Sequence, residues 1–82
     1  MNDDRYRNYL HDLGRILRDE AIESKRKRDA ATTSDSRLFS EGYLLALTHV
    51  IDTMQQQCIG FQIPLQSIGL DGFDPVKELT PE

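Results

Sequence analysis

Four consecutive cations, Lys25-Arg26-Lys27-Arg28, are the most conspicuous chemistry in the chain. A run of this kind grips phosphate, and it suggests a nucleic-acid-associated regulator as an alternative function. Three features weigh against that use. Four successive helical residues point all round the axis, and no aromatic ring lies within the run to stack a base. Asp19, Glu20, Glu23 and Asp29 also surround it. The plainer reading is a cationic helix end that complements the macrodipole.

His49 and Asp52 stand one turn apart, with Glu41 farther back on the same outer side. Neither His-Glu-x-x-His nor the Glu-x-x-His pair of carboxylate-bridged bundles is present, so no metal site is expected. Cys58 could serve as a nucleophile or redox switch. It falls within an apolar stripe, where thiols act as small hydrophobes, and neither His49 nor His11 shares its face. A Cys-His pair would have to form between subunits, which makes an inter-subunit enzyme the weakest of the three functional readings. No glycine spacing matches a nucleotide-binding loop. Catalytic residues, metal and cofactor are therefore all expected to be absent. Tyr6, Tyr9 and Tyr43 suit a helix seam or a protein interface, where a ring is buried and its hydroxyl stays wet.

The elements that would position these groups are helical. Asp3 and Asp4 begin a helix over residues 3–31, whose stripe is Tyr6, Tyr9, Leu10, Leu13, Ile16 and Leu17, centred on Leu13. Arg7, His11, Arg18 and Lys25 lie on its opposite, wet side. Beyond Leu17 the stripe thins, and that half should fray or need a partner. Small and capping residues then predict a loop at 32–35, with Asp35 or Ser36 as the preferred cap. The second helix, 36–60, carries Phe39, Tyr43, Leu47, Val50, Met54, Cys58 and Phe61 at helical period. Leu44 and Ile51 widen that stripe on one flank, and small residues (Gly42, Ala46, Thr53, Gly60) line the other. Gly60 is expected to close the helix in a left-handed conformation, and Pro64 to prevent its continuation. The tail, 61–82, carries spaced anchors and a short helix at about 74–79, introduced by Asp74-Pro75.

Eighty-two residues with a net charge of −4 and one cysteine bound the class. A chain so short buries little surface alone, and neither a disulfide nor a usual zinc site is available to staple it. The expected fold is all-α: two long antiparallel helices forming a hairpin, with the tail across them. The arc of the second helix is wider than one thin partner helix covers, so a homodimer closing into a four-helix bundle is expected. Its interface would use Phe39, Tyr43, Ala46, Leu47, Val50 and Met54. Lys25, Arg26, Lys27 and Arg28 remain the candidate phosphate contacts. Mild acidity weighs against nucleic acid, and no apolar run reaches membrane length. An unpaired thiol fits a reducing compartment, and a cytoplasmic location is expected. The pattern from Gly42-Tyr43 to Phe61 is similar to that of small bacterial proteins, a resemblance that implies no function. The leading expectation is a non-catalytic interaction module or small regulator acting through a helical surface.

Overall fold

The computed structural model describes residues 4–79. Helix α1 runs Asp4–Ala30 and α2 runs Ser34–Gly60, each of 27 residues. At 1.5 Å per residue each is about 40 Å long. They pack side by side as a hairpin, and the tail crosses them as a 3-10 turn, Leu65–Ile68, and a short helix α3, Pro75–Leu79. Among the described residues there is no strand. The expected helical hairpin with a short C-terminal helix is what forms.

Local chemistry accounts for the boundaries. Thr33, in extended conformation, caps α2, and its hydroxyl oxygen accepts from the Ser36 amide at 3.2 Å. The cap is thus Thr33 rather than Asp35 or Ser36, because α2 begins two residues earlier than the small-residue cluster suggests. At the other end the Ile63 amide donates to the Cys58 carbonyl and the Gln62 amide to that of Ile59. This is a Schellman closure, and its left-handed residue is Gln62 (φ 59°), not Gly60, which stays helical. The Asp74 carboxylate accepts from the Val76 and Lys77 amides, as expected of a cap before Pro75.

The core sits between the hairpin and the tail. Its buried apolar residues are Ala21 from α1, Leu44, Ile51 and Cys58 from α2, and Ile68, Leu70, Phe73 and Leu79 from the tail. Half of them come from the tail, which is therefore a structural layer rather than an appendage. Gly14 lets it approach: a Cβ there would lie 1.6 Å from the Ile68 carbonyl oxygen. Gly69, at φ 69°, turns the chain directly against His11 and Arg15.

This arrangement corrects the phase read from the sequence. The centre of the buried arc on α2 is Leu44, Ile51, Gln55 and Cys58, rotated about 80° from the expected stripe at 100° per residue. Leu44 and Ile51, on the flank of the sequence pattern, are the centre of the buried arc. Phe39, Tyr43, Val50 and Phe61 are left at 74, 43, 42 and 73% exposure. On α1 the buried residues are Gly14, Ala21, Ser24 and Arg28, while Tyr6, Tyr9 and Ile16 are exposed. The side expected to be wet receives the tail: the Arg18 guanidinium lies 5.3 Å over the Phe73 ring. The second half of α1, expected to need a partner, finds one in α3.

Candidate functional site

The two faces of the hairpin differ in chemistry. On the covered face, donors meet the backbone of the tail. Gln55 is buried, and its amide donates to the carbonyls of Leu70 (3.2 Å) and Phe73 (2.7 Å). Lys25 Nζ donates to the Glu78 carbonyl at 2.9 Å, and Arg28 Nη1 to that of Leu79 at 3.2 Å. The latter two carbonyls lie in the last turn of α3, where helix carbonyls take donors from outside the ladder. The Arg28 guanidinium is buried and also pairs with Asp29 at 3.0 Å.

The basic run is accordingly divided. Lys25 and Arg28 hold the tail, and Arg26 pairs with Glu23 on the same helix. That pairing, chiefly the hydrogen bond from Arg26, lowers the Glu23 carboxyl pKa and raises that of Arg26. Lys27 points to a shallow groove it shares with Glu20, Glu23, Ser24, Phe39, Ser40 and Tyr43. The four cations do not converge on one surface.

The open face is built differently. Residues of α2 about a third of a turn from the core form a stripe of Phe39, Tyr43, Ala46, Val50, Gln57 and Phe61. Beside it on α1 run Tyr6, Tyr9, Leu13, Ile16 and Glu20. Phe39 and Tyr43 stack with ring centroids 6.4 Å apart. The Tyr43 hydroxyl donates to the Glu20 carboxylate at 3.3 Å and ties the helices together on this face. The negative charge of Glu20 raises the Tyr43 pKa, so the phenol stays protonated as a donor. Of the six expected interface residues, Phe39, Tyr43, Ala46 and Val50 are exposed here. Leu47 and Met54 are half-buried and pack against the core.

Toward the Phe61 end the open face dips into an almost wholly apolar groove of about 230 Å³, formed by Leu10, Met54, Cys58, Phe61, Ile63 and Ile68 with Thr53 and Gln57. Cys58 belongs to its floor, and burial pushes the thiol pKa up, which disfavours the reactive thiolate. His11 and His49 are exposed elsewhere, and His11 Nδ1 lies 3.9 Å from Asp12. Among the described residues no group of three or more His, Cys, Asp or Glu converges to hold a metal, and no helix is long and apolar enough to cross a membrane.

Gln55 and Gly14 are the residues that sequence reasoning missed. The signal for Gln55 was present: it falls in phase with Leu44, Ile51 and Cys58, although it sits in a run of three glutamines that reads as surface. Gly14 left no such signal, because its role depends on where the tail crosses. No protein family, curated protein or solved structure matches this chain.

Proposed function

We propose that the protein is a non-catalytic interaction module that works through its open two-helix face, beginning with self-association into a four-helix bundle. One observation carries this reading. After the tail has covered one side of the hairpin, the other still holds Phe39 and Phe61 at more than 70% exposure, with Tyr9, Ile16, Tyr43 and Val50 beside them. Rings and branched aliphatics gathered on one face in this way mark an interaction site more often than scattered exposed residues do.

The shape agrees. The Cα radius of gyration is 14.4 Å, against about 11.7 Å for a compact domain of this length. The accessible surface is 6090 Å², against roughly 5000 Å² for a compact monomer of this mass. The surplus of roughly 1000 Å² resembles the share of about 800 Å² that each partner contributes to a standard interface. The alternative, nucleic-acid contact through residues 25–28, is weakened because Lys25 and Arg28 are engaged by the tail.

Light scattering behind size exclusion, over a range of concentrations, tests the proposal. The expected result is a dimer that Val50→Asp converts to a folded monomer with unchanged helical circular dichroism. Leu45→Asp, on the outer side of α2 at 71% exposure, should leave the mass unchanged. A wild-type chain that is monomeric throughout, and binds no other protein through this face, would refute it.

A further inference from the structure

The open face has an internal symmetry that specifies how a second copy would sit. Val50 is the midpoint of the α2 stripe, with Phe39 and Phe61 each eleven residues away. Leu13 is the midpoint of the α1 stripe, with Tyr6 and Glu20 each seven residues away. The Tyr43–Glu20 hydrogen bond fixes the level of one helix against the other. Seven residues onward from Tyr43 is Val50, and seven residues back from Glu20 is Leu13, so in an antiparallel hairpin the two midpoints stand at one level. A single axis therefore serves both helices.

We infer that two copies pack these faces antiparallel about a two-fold axis passing at the level of Leu13 and Val50, with Phe39 of each entering the apolar groove of the other. The inference rests on the interaction reading above and adds the partner's orientation and the occupant of the groove. Such an isologous contact sets Phe39 against the partner's Phe61, Tyr43 against the partner's Gln57, Ala46 against the partner's Met54, and Val50 against its own copy. On α1 it brings Tyr6 level with the partner's Glu20, which offers the phenol an acceptor.

The groove suits this occupant in size and lining. A cavity of about 150 Å³ lined by aliphatic side chains holds benzene, and this one is about 230 Å³ with Leu10, Met54, Ile63 and Ile68 around it. Phe39 has one side of its ring on Tyr43 and is otherwise 74% exposed. Because Phe39 and the groove lie at opposite ends of α2, one two-fold fills both grooves with both rings. Neither a parallel nor a head-to-tail arrangement does so. The small Ala46 near the axis admits close helix approach. The nearby charges of α2 are already used within the helix, Arg37 pairing with Glu41 at 3.3 Å.

Cysteine cross-linking in a Cys58→Ala background decides the register. Val50→Cys and Leu13→Cys should each oxidise to a covalent dimer. Tyr43→Cys and Gln57→Cys should do so only when the two variants are mixed. A dimer holds facing thiols at roughly millimolar effective concentration, so at micromolar protein Val50→Cys should link at least about a hundredfold faster than Leu45→Cys. Phe39→Ala should weaken the dimer, whereas Leu38→Ala, at 65% exposure on the outer side, should not. A dimer in which Tyr43→Cys links to itself and Val50→Cys does not would overturn the register and leave the interaction reading standing. A dimer indifferent to Phe39→Ala would overturn the groove assignment. A monomer that takes up an apolar dye in the groove would give the site to another occupant and overturn the inference as a whole.

Discussion

Replacing Gln55 with leucine tests whether the tail is held to the hairpin by its backbone carbonyls. The substitution keeps most of the side-chain volume and removes two hydrogen bonds, to Leu70 at 3.2 Å and Phe73 at 2.7 Å. Each bond contributes a net 0.5–1.5 kcal/mol or so, and a buried acceptor left unpaired costs about 1–3 kcal/mol. Added leucine hydrophobicity offsets part of this, so the expected loss is about 2–4 kcal/mol. A chain of this size has about 4–12 kcal/mol of stability in total. At about 4–8 °C per kcal/mol the melting temperature should fall by about 8–32 °C, while Gln56→Leu on the exposed side should leave it nearly unchanged. Thermal and urea unfolding followed by circular dichroism measure this directly. Gln55→Glu supplies the complementary test. A carboxylate facing two carbonyls is repelled and desolvated, so its folded pKa is raised above the unfolded value of about 4.3. Stability is then fully present below that unfolded value and lost as pH rises through the folded one. Gln55→Glu should therefore gain stability on acidification relative to wild type. A Gln55→Leu loss below about 0.5 kcal/mol, with no acid rescue of Gln55→Glu, would refute the carbonyl-clamp account.

Three further outcomes follow from the geometry. Gly14→Ala should destabilise by about 1–3 kcal/mol despite better helix propensity, because the new Cβ meets the Ile68 backbone. The same change at Gly42, which has nothing within 4 Å, should be neutral or stabilising by up to about 1 kcal/mol in urea titrations. Gln62→Gly should raise stability by about 1 kcal/mol, since the residue is held at φ 59°. Burial raises the Cys58 pKa, so stability should hold below the ordinary thiol value of about 8.5 and decline as pH rises through the raised one. Cys58→Ala should remove that part of the alkaline loss, and wild-type Cys58 should alkylate far more slowly than a free thiol.

The hairpin was legible because long periodic segments, a capping cluster and Pro64 speak locally. The helical phase was less so, and α2 shows why. It carries two apolar arcs, one through Leu44, Ile51 and Cys58 and one through Phe39, Tyr43, Val50 and Phe61. The second has the larger side chains and reads as the core. Which arc is covered depends on which way the tail folds, and that depends on long-range complementarity between single residues. Gly14 meeting Ile68 and Gln55 meeting Leu70 and Phe73 are contacts between segments far apart in sequence. No local pattern reports them. For the basic run, too, the cations were visible but not the two carbonyls that occupy Lys25 and Arg28.

The side on which the tail folds has a physical rationale. An irregular segment carries carbonyls that no helix ladder satisfies, and burying them without donors is costly. The arc with Gln55, together with Lys25 and Arg28, supplies those donors; on the other arc the Tyr43 hydroxyl is already given to Glu20, and Phe39, Val50 and Phe61 have no polar side-chain atom. Folding the tail over the aromatic arc would bury more ring surface, but it would take the carbonyls of Leu70, Phe73, Glu78 and Leu79 away from Gln55, Lys25 and Arg28. An α-helix has the opposite requirement, since its backbone is already satisfied along its length and its side needs only apolar surface. The face with Gln55, Lys25 and Arg28 therefore suits a loop, and the more apolar, ring-rich face suits other helices. This difference favours helices, such as those of a second copy, as the proposed occupants of the open face. It also predicts that polar substitutions there, such as Val50→Asp, act on association while Gln55→Leu acts on the fold.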